Sequence, residues 1–246
     1  MEVLCIGNSF SQDATRYVYE IARKDGEKIN IVNLYSSGCS LERHCKFIQS
    51  QEVCYGLEIN GQLSWFWINL KTALKNREWD VITVQQASKF SADFNSYVPF
   101  LETLVSYVKE HCPNAKIYVH QTWAYENGSE MLASLDKYKT SSEMTKDIVT
   151  AYDKAFELIN ATKMIRSGEL FDLLLKNGIK NLYRDTYHAS LGLGRYALGL
   201  LWYGVLFDKD VTNNKFKDFD EKVSKKEIEI VKNCVKEILN KSKTRR

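Results

Sequence analysis

The sequence predicts an α/β fold of three layers, in which helices cover both faces of a central parallel sheet. Short apolar segments rich in β-branched residues alternate with longer segments of helical periodicity, an order typical of parallel strands joined by crossover helices. The chain has 246 residues, 44% of them hydrophobic, which is enough for a sizeable core. We therefore predict a single domain over residues 1–246.

The charge, hydropathy and cysteine pattern indicate which partners, cellular locations and metal sites to expect. The formal net charge is only +3 and most basic residues are interspersed with acidic ones, which disfavours a nucleic-acid partner. No apolar run is long enough for a membrane span, and the first strand begins too close to Met1 for a signal peptide. We expect a cytoplasmic protein, or a secreted one whose leader has been removed. The six cysteines form no metal-binding pattern, and a disulfide among Cys39, Cys45 and Cys54 is left open.

The chain opens with a strand that delivers a serine to a tight turn. The apolar run of residues 3–6 is broken by Gly7, and Ser9 follows immediately before a predicted helix over residues 11–23, with Asp13 in its first turn. A serine between a strand and a helix N-terminus can be an exposed nucleophile, but it is also a routine helix cap. The position alone favours the cap.

The next part of the chain continues the alternation of strand and helix. Residues 28–35 form a second apolar strand, and a glycine-containing turn then leads into a helix over residues 41–49. Residues 50–66 lack a clear periodicity. The aromatic run at residues 65–67 suits a hairpin, a plug in the core or the wall of a substrate site. A helix is predicted over residues 68–78.

The second half follows the same plan. Strands are predicted over residues 80–85, 115–121 and 162–166, because these segments are short, apolar and β-branched. Helices are predicted at residues 95–111, 137–159, from 167 onward, 194–207 and 221–241, and a loop at residues 122–136. Since ligands bind outside the carboxyl ends of parallel strands, the Ser9 turn and the residues after Val84 and His120 are expected at one functional edge.

A histidine near the other end of the chain provides a partner for the serine. The sequence contains four histidines, and only His188 has an acidic residue, Asp185, three positions before it. An acid at this spacing can orient the imidazole so that its free nitrogen accepts the proton of a serine. Arg184, next to the acid, is interpreted as a simple surface charge.

Taken together, Gly7-Asn-Ser9 and Asp185-x-x-His188 resemble the SGNH (GDSL-like) hydrolase superfamily. The surrounding blocks at residues 6–11, 38–44 and 84–88 resemble the SGNH-related domain DUF4886, and the likeness spans about residues 3–207. The resemblance implies an SGNH-type, flavodoxin-like architecture and a serine esterase. It also implies that Ser9 is the nucleophile, His188 the base and Asp185 the acid that orients it, with no metal or cofactor.

The resemblance also suggests an oxyanion hole, with one departure. Gly38 matches the glycine that lends a backbone N–H in this superfamily. The usual Gly-x-Asn block after the third strand is missing, and the sequence there has two glutamines instead. A glutamine amide can also stabilise an oxyanion, so Gln86, or less favourably Gln85, is predicted to replace the asparagine.

The substrate is predicted from the family alone. The resemblance implies a small acyl ester, such as acetyl on a carbohydrate. Trp123 and Tyr125, expected near the functional edge, are candidates to hold a sugar ring, although packing onto the core explains them equally well. His44 is a third candidate for the substrate site. The alternative hypothesis is an inactive carbohydrate-binding or scaffold protein on the same fold, which the missing asparagine supports.

Overall fold

The computed structural model describes residues 1–244 and has one seven-stranded sheet between two layers of helices. The strands are β1 (Glu2–Gly7), β2 (Asn30–Tyr35), β3 (Tyr55–Ile59), β4 (Gln62–Ile68), β5 (Val81–Val84), β6 (Lys116–Gln121) and β7 (Lys163–Arg166). Their order across the sheet is β4-β3-β2-β1-β5-β6-β7. The five strands β2, β1, β5, β6 and β7 are parallel, which confirms the predicted fold class, whereas β3 and β4 are antiparallel.

Within residues 1–244, ten helices connect and cover the strands. They are α1 (Ser9–Thr15), α2 (Val18–Lys24), α3 (Leu41–Ser50), α4 (Leu70–Lys75), α5 (Phe100–His111), α6 (Glu130–Ala133), α7 (Ser141–Leu158), α8 (Ser167–Lys176), α9 (Leu193–Phe207) and α10 (Lys225–Thr244). Two short 3₁₀ turns, Ser88–Phe90 and Phe94–Tyr97, lie between β5 and α5. Within the described part of the chain, no helix combines the length and the hydropathy that crossing a bilayer requires.

The sheet separates two hydrophobic cores. Successive side chains of a strand point to opposite faces, so Val3 and Cys5 of β1 belong to one core and Leu4 and Ile6 to the other. The first core includes α1, α2 and the almost wholly buried α9, and the second includes α3, α5 and α7. Burial on both faces explains why β1 is continuously apolar.

The segment that was expected to be irregular is a β-hairpin. β3 and β4 pair with each other, with a shift of register between Gly56 and Glu58, and β3 extends the sheet from β2. Of the three interpretations of the aromatic run, the hairpin is correct. Because β4 continues to Ile68, the following helix begins at Leu70, where Asn69 caps it through a bond from Thr72 N.

Several predicted helix boundaries move to where a capping residue lies. The predicted helix 11–23 is two helices, and the first begins at Ser9 because Asn8 is its N-cap. The helix predicted from residue 95 begins only after Pro99, whose ring is compatible with a helix start but not with a helix interior. Because of capping boxes, α7 begins at Ser141 and α10 at Lys225, each a few residues later than predicted.

All six cysteines are free thiols, so the crowding of Cys39, Cys45 and Cys54 in sequence produces no disulfide. Burial raises the pKa of the Cys39 thiol to about 12 and that of Cys45 to about 11, with smaller effects from neighbouring charges and hydrogen bonds. Both side chains therefore act as buried apolar groups at neutral pH.

Candidate active site

The turn after β1 presents the Ser9 hydroxyl because another residue caps the helix. Asn8 Oδ1 accepts the Phe10 N–H at 3.0 Å, which is the N-cap interaction. A Cβ atom at Gly7 would lie 2.4 Å from the Ser11 hydroxyl oxygen, so glycine allows the close approach of strand and helix. The capping role considered for Ser9 thus belongs to Asn8, and Ser9 occupies the first position of α1.

Ser9, His188 and Asp185 lie in a continuous hydrogen-bonded line. His188 Nε2 is 2.8 Å from Ser9 Oγ, and His188 Nδ1 is 2.7 Å from Asp185 Oδ2. A carboxylate accepts hydrogen bonds, so Nδ1 carries the proton and the lone pair of Nε2 faces the serine hydroxyl. Asp185 Oδ1 also accepts the His188 N–H at 2.9 Å, which fixes the carboxylate relative to the ring.

The Asp185 carboxylate is held in its charged form. Burial disfavours the charge, but the hydrogen bonds from the His188 ring and N–H, together with the positive charge of Arg184, outweigh burial and lower its pKa. Between the two residues, Thr186 has a φ of +75°, an uncommon conformation for a β-branched residue. Its carbonyl accepts the Glu126 N–H at 2.8 Å, so the loop is held in this conformation by a neighbouring segment.

A buried carboxylate ties the serine helix to the histidine loop. Asp13 of α1 is fully buried and accepts hydrogen bonds from Arg184 Nη1 at 2.8 and 2.9 Å, Arg195 Nε at 2.9 Å and Ala189 N at 3.1 Å. Arg184 is therefore a structural partner of Asp13, and its interpretation as a simple surface charge is wrong. Sequence reasoning placed Asp13 in the first predicted helix but missed its role as a buried ion-pair partner, and it missed Arg195. The available signal was the spacing of four residues from Ser9 to Asp13, which places both on one face of a helix.

The two aromatic residues assigned to the substrate are part of the scaffold. Trp123 is fully buried, stacks on Phe10 with ring centroids 4.2 Å apart, and donates from Nε1 to Tyr187 O at 2.8 Å. Tyr125 is also buried, and its hydroxyl lies 3.2 Å from Ser88 Oγ. The structure contradicts the prediction that these rings face a sugar. Trp123 instead supports the loop one residue before His188.

Gln85 belongs to a buried polar chain along the carboxyl edge of the sheet. Since Asn8 Oδ1 accepts the Phe10 N–H, the Gln85 atom 2.9 Å from it must be the amide nitrogen. Gln85 Oε1 then faces His120 Nδ1 at 2.9 Å, so that ring nitrogen carries the proton and Nε2 accepts from Ser167 Oγ at 3.1 Å. Gln85 thus supports Asn8 from inside the sheet, and this contradicts its predicted place in an oxyanion hole.

Gln86 is committed to other structural bonds. Its Nε2 donates to Ser96 O at 2.9 Å and to Ser96 Oγ at 3.1 Å, and its Oε1 accepts the N–H groups of Leu41 and Ala87. The side chain is buried and both amide protons have acceptors, so the structure contradicts the role predicted from the sequence. Gln86 instead anchors Leu41, the first residue of α3, which follows the Gly38 turn.

His44 is a core residue. The ring is fully buried, with Nδ1 2.6 Å from the Tyr55 hydroxyl and 3.4 Å from Cys39 Sγ. Burial, with a smaller contribution from the charge of Arg43, lowers its pKa to about 3. The prediction that His44 binds substrate is therefore contradicted, because the ring does not reach the surface.

Gly38 lies in an exposed turn beside the serine. Its φ of +58° is a conformation that glycine adopts without strain, and no atom lies within 4 Å of the place where a Cβ would be. Asn8 Nδ2 donates to Cys39 O at 3.0 Å, which joins this turn to the residue before Ser9. The strands that lead to the two turns are adjacent, with Gly7 opposite Tyr35.

Comparison with known proteins identifies the family. The profile of the family described as a domain of unknown function, DUF4886, matches residues 2–238. The chain belongs to the DUF4886 family. A crystal structure of a DUF4886 family protein from Bacteroides uniformis is 31% identical in sequence, with a TM-score of 0.92 over 98% of this chain and 95% of that one. The resemblance drawn from the sequence motifs is therefore confirmed. A search of the curated proteins found no match.

More distant structures show that this DUF4886 protein has the SGNH-hydrolase fold. A protein from Slackia heliotrinireducens, provisionally assigned to the SGNH hydrolases, is 18% identical, with a TM-score of 0.61 over 84% of this chain and 98% of that one. The esterase EstA from Pseudoalteromonas is 13% identical, with a TM-score of 0.50 over 84% of this chain and 94% of that one. At these identities the likeness establishes the architecture.

Proposed function

We propose that this DUF4886 protein is a serine hydrolase that cleaves carboxylic esters. The observation that carries the proposal is the line from Ser9 Oγ through His188 to Asp185, with distances of 2.8 and 2.7 Å. A serine hydroxyl becomes a useful nucleophile when a base within hydrogen-bond reach accepts its proton and a third group orients that base. The Ser9–His188 and His188–Asp185 contacts satisfy both conditions.

In the proposed reaction, Ser9 Oγ attacks the ester carbonyl carbon while His188 Nε2 takes the hydroxyl proton. The tetrahedral intermediate collapses, the bond to the alcohol oxygen breaks, and the protonated His188 gives its proton to the departing alcohol. A water molecule, deprotonated by His188, then attacks the acyl-enzyme, and Ser9 leaves with the proton returned. Asp185 keeps the proton on Nδ1 and stabilises the cationic ring.

The oxyanion would be stabilised by backbone groups. Ser9 is the first residue of α1, and N–H groups in the first turn of a helix have no acceptor within the helix. These groups also lie at the positive end of the helix dipole, which favours a developing negative charge. We propose the N–H groups of Ser9 and Gly38 as the donors, in place of the glutamine amides, whose hydrogen bonds are already made.

For the substrate we propose a small acyl ester, such as acetyl on a carbohydrate. The support for this finer assignment is the resemblance to SGNH esterases. The aromatic residues first considered for sugar binding, Trp123 and Tyr125, do not add to it because they are buried. Initial rates on p-nitrophenyl acetate, butyrate and octanoate, and on a peracetylated sugar, would determine the preference. A higher kcat/KM for octanoate than for acetate would overturn the small-acyl assignment.

A fluorophosphonate probe tests the hydrolase itself, since it labels only an activated serine. We expect the wild-type protein to be labelled, Ser9→Ala to lose labelling completely and His188→Ala to retain a small fraction. Ser11→Ala is a matched control, because Ser11 is a buried serine of the same helix that bonds Asn8 O. Absence of labelling in a folded wild-type protein would favour the alternative of an inactive binding or scaffold protein.

A further inference from the structure

The β3–β4 hairpin exposes an unusual set of apolar side chains. Trp65, Phe66 and Trp67 are 82%, 72% and 61% exposed, and Leu63 on the same strand is 47% exposed. We call these four residues of β4 the hairpin patch. The largest apolar patch on a typical soluble monomer covers about 300–600 Å² and is often functional, because larger patches mark interaction sites.

The geometry of β4 accounts for the exposure. β4 is the last strand of the sheet and pairs only with β3 among the described strands, so its outer edge is open. Trp65 has a φ of +64°, and the register with β3 shifts opposite it. This irregularity interrupts the alternation of a regular strand, and three consecutive aromatic side chains remain in solvent. Such a conformation is uncommon for a residue other than glycine.

The exposed aromatic area is more than half of what one partner buries in a standard stable interface. A fully exposed aromatic side chain offers about 150–250 Å², so the three aromatic residues together expose roughly 500 Å². A standard protein interface buries about 800 Å² on each partner. The hairpin patch alone would supply more than half of one side. Tryptophan is also the residue most enriched among those that dominate interface energies.

We propose that the hairpin patch is the interface through which two copies of this chain form a dimer. β4, with the sequence Gln-Leu-Ser-Trp-Phe-Trp-Ile, carries no charged side chain. Two copies of such an uncharged apolar surface can pack against each other about a twofold axis, because the contact brings no like charges together. Closed twofold dimers with the same patch on both partners are the commonest soluble oligomers.

The bulge indicates how the two copies meet. A flat edge strand would invite open-ended sheet extension, and a bulge is one of the devices that prevent it. The irregularity at Trp65 therefore disfavours pairing of the two β4 backbones into a longer sheet. It favours contact through the aromatic side chains, which joins two copies and leaves no hairpin patch free for a third. Homodimer interfaces are typically richer in apolar area than other interfaces.

β2 and β3 separate β4 from β1, the strand that leads to Ser9, so the proposed interface does not depend on the proposed chemistry. Gly7, Tyr35, Gly56 and Trp67 form one row across neighbouring strands. Neighbouring strands are about 4.8 Å apart, so Trp67 is roughly 14 Å from Gly7. Substitutions in the hairpin patch should therefore change the oligomeric state and leave fluorophosphonate labelling of Ser9 unchanged.

Sedimentation velocity with light scattering tests the proposal over a range of protein concentrations. We expect the wild-type protein to have the mass of two chains and the variant Trp65→Ser/Phe66→Ser/Trp67→Ser the mass of one. Phe90→Ser, which removes an exposed aromatic ring outside the hairpin, is the matched control and should remain a dimer. Circular dichroism should show the three proteins equally folded, since all the replaced side chains are exposed.

Two results would overturn the proposal. One is a wild-type protein with the mass of a single chain at every concentration, and the other is a triple variant that still dimerises. The first result would lead to binding assays with phosphatidylcholine vesicles and with a soluble neutral polysaccharide. Binding that disappears in the triple variant would mean that the hairpin patch serves a lipid surface or a glycan, and the dimer would be rejected.

Discussion

Arg184 Nη1 lies 2.8 and 2.9 Å from the two carboxylate oxygens of Asp13, a contact between residues 171 positions apart. Asp13 is one helical turn after Ser9, and Arg184 is four residues before His188. The ion pair therefore fixes the distance between the two elements whose side chains meet in the candidate active site. The Ala189 N–H, bonded to the same carboxylate, adds a backbone contact next to His188.

Replacement of Asp13 should weaken both the fold and the activity. Asp13→Ala leaves Arg184 and Arg195 without their buried partner, and removal of one member of a buried ion pair typically costs about 3–5 kcal/mol. We expect a loss of this order in the free energy of unfolding, measured in urea, and a lower kcat because the His188 loop shifts. Asp220→Ala is the control: Asp220 pairs with Arg16 and Arg195 nearer the surface, and its loss should cost roughly 1 kcal/mol. Equal effects of the two substitutions would contradict the role of Asp13.

Asp185→Asn should reduce catalysis with little effect on folding. The amide would donate towards His188 Nδ1 and favour the tautomer whose Nε2 cannot accept the serine proton, a change that costs up to about ten-thousandfold in a related constellation. We expect a large fall in kcat on p-nitrophenyl acetate and only a small fall in the melting temperature, because the carboxylate is partly exposed. Asp210→Asn, an exposed carboxylate elsewhere, should keep full activity.

The pH dependence of Asp185 follows from the direction of its shift. The pKa of Asp185 is lower in the folded protein than its ordinary value of 3.8. The ionised carboxylate therefore stabilises the fold at pH values above 3.8, and this stabilisation is lost as the pH falls through the folded-state pKa. The carboxylate therefore stays charged when activity is assayed near neutral pH. An acid limb of the activity profile that moves when Asp185 is replaced by glutamate would contradict this expectation.

Gln86→Ala should act on stability. The substitution removes the acceptor of the Leu41 and Ala87 N–H groups and the donor to Ser96, and each buried group left unpaired costs about 1–3 kcal/mol. We expect a clear fall in the melting temperature and a kcat, measured on the folded variant, within tenfold of wild type. A loss of a hundredfold or more at full folding would instead match the removal of an oxyanion donor.

The buried histidines should make the fold sensitive to mild acid. Burial lowers the pKa of His44 and of His120 to about 3, whereas an exposed histidine titrates near 6.5. Between these values the unfolded chain binds protons that the folded protein does not, so stability falls as the pH decreases from 6.5. Each histidine contributes a slope of up to about 1.4 kcal/mol per pH unit.

His44→Gln isolates one of these two contributions. Glutamine does not titrate, so between pH 5 and 6 the variant should lose stability less steeply than wild type by about 1.4 kcal/mol per pH unit. Urea unfolding at a series of pH values gives both slopes, and groups that titrate in both proteins cancel in the comparison. Parallel slopes would show that His44 is not held neutral in the fold.

The sequence was most informative where the chemistry lies within a short segment. The parallel strands were predictable because burial on both faces makes each one apolar, and the Asp185–His188 pair was visible because its members are three residues apart. The partners of Asp13 were not predictable, since Arg184 and Arg195 reach it only through the tertiary fold. The two glutamines were misjudged for the same reason: their acceptors, Asn8 and Ser96, come from other parts of the chain.

The hairpin shows a different limit. Strand prediction relies on alternation between a buried and an exposed face, and β4 has no buried face. The positive φ of Trp65 also breaks the two-residue period at its centre. The aromatic run at residues 65–67 therefore did not determine the secondary structure of this segment. The starts of α4 and α7, in contrast, could have been predicted from their capping residues Asn69 and Thr140.

The place of β1 in the sheet affects how the protein is made. β1 leaves the ribosome before the other strands of this sheet, yet its two neighbours are β2 and β5, and β5 ends only at Val84. At ordinary rates of about 5–20 residues per second, the nascent chain carries an apolar strand with an open side for several seconds. The contact between Ser9 and His188 forms later still, because His188 is 179 residues downstream of Ser9. Chaperone demand during synthesis should therefore depend on how quickly the segment from β1 to β5 is translated.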